Sequence, residues 1–255
     1  MAKNEVAIVT GGSTGMGYAI ALLLAQRGSS VVVGSRNPEK AASEIAALSG
    51  ATVVPVAGDL AEAKTAQALI EAAVKLGPLG AVLLNHGGPP VKQLLRITEE
   101  EWSRYFDLMV QGPLRLLRLA VPEFRRNQGG RVLAITSFTV KSPYPGIGLS
   151  SSLRAALLNA LKTAAIELGP ENILLNAIAP GYVLTERTTE WNEEYAKREG
   201  KTSDDIAKDT LAAVPLRRYG TPQDIAEIAV FLLSASNRYL TGQQILVDGG
   251  LISAV

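Results

Sequence analysis

The chain has 255 residues, a formal net charge of +1 and no cysteine. This length fits one large α/β domain, and the balanced charge offers no basic surface to a nucleic-acid backbone or an anionic membrane. The absence of cysteine excludes disulfides, thiolate metal sites and cysteine nucleophiles. We therefore expect no metal, no nucleic acid and a small-molecule substrate.

The N-terminal residues lead into the first apolar run too early for a secretory signal, and glycines follow closely. Glycine, proline or charge interrupts every apolar stretch before it reaches the roughly 18 residues that a membrane span needs. We therefore predict a cytoplasmic protein without a membrane segment.

Short apolar runs rich in Val, Ile and Leu alternate along the chain with segments of helical spacing. The runs cover residues 6–10, 31–34, 52–56, 81–85, 131–136, 173–179 and 245–248. Because they are apolar throughout, they are typical of strands that helices cover on both faces. The pattern predicts a single doubly wound, Rossmann-type α/β domain over residues 1–255, with about seven parallel strands in three layers.

The first predicted strand runs directly into a glycine-rich turn at residues 10–17, and a helical segment follows at 18–27. In this order Gly11 permits a tight turn, Gly15 lets a pyrophosphate approach the backbone, and Gly17 lets the helix pack closely. An ordinary glycine-rich turn is the alternative. The predicted contacts of a nicotinamide dinucleotide here are Gly11, Ser13, Thr14, Gly15, Met16 and Gly17.

The second predicted strand ends at Ser35 and Arg36, where an NAD-binding protein places an acidic residue against the ribose 2′-hydroxyl. No acidic residue stands there. Arg36, with Ser35, would instead pair with a 2′-phosphate through charge-assisted hydrogen bonds. This favours NADP(H) over NAD(H), and a surface arginine at a helix entrance is the alternative.

Residues 185–214 break the alternation of strand and helix, because they are polar and charged and carry Trp191 and Tyr195. Such a segment between the sixth strand and the next helix predicts an inserted helical lid. The alternative is a solvated helical hairpin that only covers apolar surface.

The spacing Thr-Gly-x-x-x-Gly-x-Gly resembles the short-chain dehydrogenase/reductase family, and the likeness runs through the whole chain. The family's closing motif is matched by Asp248-Gly249-Gly250. The resemblance implies further cofactor contacts after the third, fourth and sixth strands. These are Asp59 and Leu60, then Asn85 and Gly87, and then Pro180, Gly181 and Thr185 beside the nicotinamide.

The resemblance also implies an active site of Asn, Ser, Tyr and Lys, and here the chain departs from the family. Ser137 matches the serine, but Ser150 and Arg154 stand where Tyr-x-x-x-Lys belongs, and Met109 occupies the asparagine position. A serine hydroxyl is a much poorer acid than a phenol whose pKa a lysine lowers from about 10. A guanidinium holds the nicotinamide ribose but cannot relay a proton. The predicted catalytic residues are Ser137, Ser150 and Arg154.

The proton donor stays open among water and three other side chains. Tyr144 lies between the serine and the arginine, Tyr182 follows the turn that faces the nicotinamide, and His86 follows the fourth strand. The carboxyl ends of parallel strands are where ligands bind. For each side chain, a packing or pocket-lining role is the alternative.

Similar replacements occur in a divergent branch that resembles 3-oxoacyl-acyl carrier protein reductases, although overall likeness does not assign a reaction. The leading hypothesis is an NADP(H)-dependent oxidoreductase of a carbonyl/alcohol pair with Ser and Arg in place of Tyr and Lys. One alternative is a catalytically silent NADP(H)-binding sensor or partner subunit. Another is a non-redox lyase similar to halohydrin dehalogenases, which share the arginine. The resemblance also implies a homo-oligomer, a tetramer or dimer.

Overall fold

A computed structural model describes residues 5–253 of the chain. Its strands are β1 (Val6–Thr10), β2 (Ser30–Ser35), β3 (Val53–Ala57), β4 (Leu79–Leu84), β5 (Gly130–Ile135), β6 (Ile173–Pro180) and β7 (Gln244–Val247). They form one parallel sheet in the order β3-β2-β1-β4-β5-β6-β7. Each predicted apolar run overlaps one strand, and the prediction of a seven-stranded, doubly wound sheet is confirmed.

Helices cover both faces of this sheet. They are α1 (Gly15–Gln26), α2 (Glu39–Ser49), α3 (Ala63–Leu76), α4 (Glu99–Phe106), α5 (Gly112–Arg126), α6 (Gly148–Leu168), α7 (Glu186–Glu199), α8 (Ser203–Ala212) and α9 (Pro222–Leu232). The first helix begins three residues before the predicted 18–27, because the last glycines of the turn already form its first turn.

Alternate residues of each central strand supply two separate apolar cores. In β1, Val6 and Ile8 pack with α3, α5 and α6, whereas Ala7 and Val9 pack with α1, α2 and α9. Helices therefore bury both faces of the sheet, which gives the predicted three layers and one Rossmann-type domain. The edge strands β3 and β7 are only partly buried, because an edge strand has a neighbour on one side alone.

The polar segment at 185–214 forms two helices, α7 and α8, that pack against each other. The side chain of Thr185 caps α7 by accepting a hydrogen bond from the amide of Thr188, and Thr202 caps α8 in the same way through the amide of Asp205. The segment is therefore helical, as predicted. Its role as a lid stays a prediction. Among residues 5–253, no helix combines the length and apolar character of a membrane span.

Candidate active site

A cleft of about 830 Å³ opens where the strand order reverses between β1 and β4. This volume lies within the roughly 300–1,000 Å³ of small-molecule sites, and a reversal point is where open α/β sheets bind their ligands. Apart from Gly17, every predicted site residue lines this cleft. The predicted residues in its lining are Gly11, Ser13, Thr14, Gly15, Met16, Ser35, Arg36, Asp59, Leu60, Asn85, Gly87, Ser137, Ser150, Arg154, Pro180, Gly181 and Thr185.

Hydrogen bonds between the ends of β1 and β4 hold the glycine turn in place. The Thr10 hydroxyl accepts from the Asn85 amide at 2.9 Å and lies 2.7 Å from its carbonyl oxygen, to which it donates. Nδ2 of Asn85 donates to the Gly11 carbonyl at 3.1 Å. A Cβ at Gly17 would overlap that same carbonyl. Gly17 therefore shapes the turn from behind rather than facing the cleft.

The first turn of α1 is prepared for an anion. Its N-cap residue, Thr14, makes no side-chain capping bond, and no acidic side chain stands in the first turn. Gly15 has φ +56° and would bring a Cβ within 3.4 Å of Thr185. The free amides and the positive end of the helix dipole therefore face an open cradle between these residues.

The end of β2 carries a polar atom without a partner. Oγ of Ser35 is buried and makes no hydrogen bond, which costs free energy unless a ligand supplies the bond. Arg36 beside it is exposed and forms no ion pair within residues 5–253. An acceptor-rich anion such as a phosphate would satisfy both side chains.

Ser137 lies directly after β5 and caps a short 3-10 helix, Phe138–Val140. Its Oγ accepts hydrogen bonds from the amide of Thr139 at 3.2 Å and from the Thr139 hydroxyl at 2.9 Å. Because both bonds are accepted, the hydroxyl proton of Ser137 remains available to donate into the cleft. Thr139 was not among the predicted residues, and no spacing rule in the sequence would have indicated it.

Ser150 and Arg154 lie one turn apart on α6. Nε of Arg154 donates to Oγ of Ser150 at 3.2 Å, while Nη1 donates to the carbonyls of Ile135 at 2.8 Å and Thr136 at 3.0 Å. Burial lowers the pKa of Arg154 to about 10, and the charge of Arg187 adds to this shift. The guanidinium is therefore fixed to the end of β5 and still positively charged at neutral pH.

At the position of the family's catalytic asparagine, this chain has a residue of the apolar core. Met109 lies in a π-helical turn, Asp107–Gln111, and is fully buried beside Val110, Leu149 and Leu153. A thioether at this point has no N–H or O–H to donate, unlike the amide of an asparagine.

Neither tyrosine candidate is made more acidic by its surroundings. Desolvation raises the pKa of Tyr144 to about 12, with a further contribution from Tyr182, and desolvation also raises the pKa of Tyr182. Both rings pack against Phe138, Tyr144 stacked at 6.2 Å and Tyr182 edge-on at 5.3 Å. These contacts favour the pocket-lining alternative for both tyrosines.

His86 lines the same cleft in its neutral form. Burial, and to a smaller extent the positive charge of Arg154, lower its pKa to about 3. Nδ1 lies 2.8 Å from the carbonyl of Gly87, so the proton of the neutral ring belongs on Nδ1. Nε2 is buried without a partner. A neutral ring with a bare Nε2 accepts hydrogen bonds from the cleft and does not donate a proton to it.

Arg187 is a further cleft residue that the sequence did not single out. It reaches from α7 across the cleft to the loop after β4, where Nη2 donates to the carbonyl of Pro89 at 2.9 Å. Its guanidinium packs on Gly88, where a Cβ would lie 2.9 Å from Nη1. The two partners are 98 positions apart in the chain, so local patterns could not pair them.

Comparisons with known proteins agree with this geometry. Residues 11–252 match the family model described as Enoyl-(Acyl carrier protein) reductase. Dehydrogenase/reductase SDR family member 4 of Homo sapiens is 35% identical over 252 residues, covering 97% of this chain and 87% of that protein. The 3-oxoacyl-[acyl-carrier-protein] reductase FabG of Staphylococcus epidermidis is 31% identical over 252 residues, covering 97% and 99%.

Among solved structures, L-sorbose reductase from Gluconobacter frateurii, complexed with NADPH and L-sorbose, superposes with a TM-score of 0.94. The two chains are 29% identical, and the match covers 99% of this chain and 98% of the other. The sheet order and the glycine turn are those of the Rossmann-type α/β proteins that bind dinucleotides. Within that class the chain belongs to the short-chain dehydrogenase/reductase family of oxidoreductases, and it resembles the FabG reductases.

Proposed function

We propose that this protein is an NADP(H)-dependent oxidoreductase that interconverts a carbonyl and an alcohol, with Ser137, Ser150 and Arg154 as its catalytic residues. The observation that carries the proposal is the hydrogen bond from Nε of Arg154 to Oγ of Ser150 at 3.2 Å. The family's motif places a tyrosine hydroxyl beside a lysine ammonium on one helix. Here a serine hydroxyl lies beside an arginine guanidinium in the same arrangement. Ser137 lines the same cleft.

The residues around the cleft fit NADP(H). The uncapped first turn of α1 would bind the pyrophosphate, and the unpartnered Ser35 hydroxyl with Arg36 would bind the 2′-phosphate. The remaining proposed contacts are Asp59 and Leu60 at the adenine end, and Asn85, Gly87, Pro180, Gly181 and Thr185 toward the nicotinamide. When bound, this cofactor supplies or accepts the hydride.

The side chains of this chain would handle the proton and the developing charge. Ser137 donates its hydroxyl proton toward the substrate oxygen and polarises the carbonyl. Ser150 transfers its proton to that oxygen, and Nε of Arg154 stabilises the negative charge left on Oγ. Because a serine hydroxyl is a weak acid, we expect slower turnover than a tyrosine and lysine pair would give.

A titration with NADPH and NADH, followed by nicotinamide fluorescence, tests the cofactor part of the proposal. A panel of ketones, aldehydes and quinones, added to the same sample while absorbance is followed, tests the reaction. We expect tighter binding of NADPH and consumption on at least one carbonyl compound, with Ser137→Ala losing turnover but not binding. Failure of both nucleotides to bind would refute the cofactor assignment.

A second candidate is a catalytically silent NADP(H)-binding sensor or partner subunit. The raised phenol pKa values of Tyr144 and Tyr182 favour it, because neither ring is tuned as an acid. Tight NADPH binding without consumption across the whole panel would support this candidate over the reductase.

A further inference from the structure

The substrate side of the cleft concentrates positive charge. Arg154 is fixed to the carbonyls of Ile135 and Thr136, and Arg187 packs on Gly88 and donates to the carbonyl of Pro89 in the loop after β4. His86 lies in the same loop, and all three side chains line one cleft. The charges of both guanidinium groups lower the pKa of His86. The charge of Arg187 also lowers the pKa of Arg154. The cleft thus holds two cations and one imidazole.

No carboxylate in the described part of the chain forms an ion pair with either arginine. The acidic residues that line the cleft are Asp59, Glu186 and Glu190. Within residues 5–253 none of them forms an ion pair with Arg154 or Arg187. Two like charges without a counterion destabilise a partly desolvated site, so the arrangement is complete only when an anion enters it.

His86 gives an independent sign of a missing ligand. Its Nδ1 is held by the Gly87 carbonyl, whereas its Nε2 is buried and has no hydrogen-bond partner. An anion beside Nε2 would favour a proton on that nitrogen, so that both ring nitrogens donate hydrogen bonds. One ligand would therefore satisfy the imidazole and offset both arginines.

We propose that the substrate carries a carboxylate, which binds to Arg187 within reach of Arg154 and Nε2 of His86. The reacting compound would be an oxo acid or the corresponding hydroxy acid, with its carbonyl or alcohol carbon at Ser137 and Ser150. This inference rests on the proposed function, since it takes the cleft as the site of the substrate.

The experiment uses the only histidine of the chain as a reporter. The full-length protein, labelled with 13C at histidine Cε1 and saturated with NADP+, is titrated with acetate and separately with acetamide, a neutral molecule of the same shape. We expect acetate to shift the His86 signal saturably toward the protonated position, and acetamide to leave it unchanged. Equal responses to the two probes would overturn the proposal.

Two variants on α7, each of which removes one positive charge, distinguish acetate binding at Arg187 from an effect of the protein's overall charge. Arg187→Gln should weaken the acetate response by about tenfold, the value of one charge-assisted hydrogen bond. Lys197→Gln removes a charge from an exposed position on the same helix and should leave the response intact. If acetate binds Arg187→Gln as well as the parent, an adventitious anion is being observed and the proposal is wrong.

Turnover distinguishes this inference from the proposed function. Among carbonyl compounds that the parent reduces, each acid should exceed its methyl ester in kcat/KM by about tenfold, and Arg187→Gln should remove that preference. If no carbonyl compound is consumed, the proposed reaction fails, while the His86 titration still decides whether the carboxylate site exists.

Discussion

Nε of Arg154 donates a hydrogen bond to Oγ of Ser150 across one turn of α6, at 3.2 Å. The same guanidinium is bound to two carbonyls at the end of β5, so its position does not depend on the serine. Because the cation is held independently, the acidic side chain at position 150 can be substituted while the cation stays in place. This relationship makes the catalytic assignment testable by substitution in both directions.

Restoring the family's pair should accelerate the reaction. The double variant Ser150→Tyr with Arg154→Lys places a phenol where the serine hydroxyl lies, and the ammonium lowers the phenol pKa toward neutrality. We expect kcat for a reducible ketone to rise about 100-fold, within the usual range for a general acid. Steady-state kinetics at saturating NADPH measures this effect.

The matched control is Ser152→Tyr with Arg154→Lys, because Ser152 is exposed on the same helix. This variant carries the same two residue types but points its phenol elsewhere. If the control gains as much activity as the Ser150 variant, Ser150 does not contact the reacting oxygen.

Ser137 should contribute to kcat without contributing to cofactor affinity. Ser137→Ala removes the hydroxyl that polarises the substrate oxygen, and we expect kcat to fall by roughly 100-fold, with the NADPH dissociation constant unchanged. Thermal unfolding of the variant checks that loss of the cap on the 3-10 helix has not unfolded the protein. A parallel fall in NADPH affinity would place Ser137 in the cofactor site instead.

Thr139 is expected to act through Ser137 as a positioning residue. Its hydroxyl donates to Ser137 Oγ at 2.9 Å, so Thr139→Val frees the serine rotamer and should lower kcat by about tenfold, with KM unchanged. Thr139→Ser restores the donor and should restore kcat. Equal losses in both variants would show that the methyl group, and hence packing, is what matters.

Much of this architecture follows from the sequence, because its signals are local. Continuous apolar runs indicate buried parallel strands wherever both faces are covered. They correctly predict the fully buried strands β1 and β6. The glycine turn is equally readable, since positive φ at Gly11 and Gly15 is a backbone requirement that few residues meet. At the edges the same runs overstate burial, because two of the five residues of β3 are exposed and the other three are only partly buried.

The substrate side was not predictable in the same way. Arg187 is held in the cleft by its contacts with Pro89 and Gly88, which lie in the loop after β4, far from Arg187 in the sequence. The protonation states of His86 and Tyr144 depend on burial that only the folded chain creates. A sequence shows which residue types are present, but it does not show which charges share a cavity without a counterion.

Arg36 should determine the preference for NADPH over NADH. Arg36→Ala removes the cation that would pair with the 2′-phosphate, and we expect NADPH affinity to fall by about 10- to 100-fold while NADH affinity stays the same. Fluorescence titration with both nucleotides measures the two constants. Lys40→Ala is the control, because Lys40 is a largely exposed cation on the following helix. Equal losses for both nucleotides would contradict a role in 2′-phosphate recognition.

His86 should make the protein less stable in mild acid. Its folded pKa of about 3 lies below the unfolded value near 6.5, so the unfolded chain binds a proton that the folded chain does not. The free energy of unfolding therefore falls as pH drops below about 6.5, by roughly 1–2 kcal/mol at pH 5 after allowance for the partial exposure of the ring. Below pH 5 the carboxylates begin to contribute as well.

Urea unfolding at neutral pH and at about pH 5, for the parent and His86→Asn, isolates the contribution of His86 to the free energy of unfolding. The chain has no second histidine, and the carboxylates titrate alike in both proteins, so the difference between the two pH dependences belongs to His86. We expect the variant to lose less stability on acidification, because its amide has no proton to take up. If both proteins lose the same free energy of unfolding, the imidazole is already solvated or protonated in the folded state. The bare Nε2 would then no longer be a sign of a missing ligand.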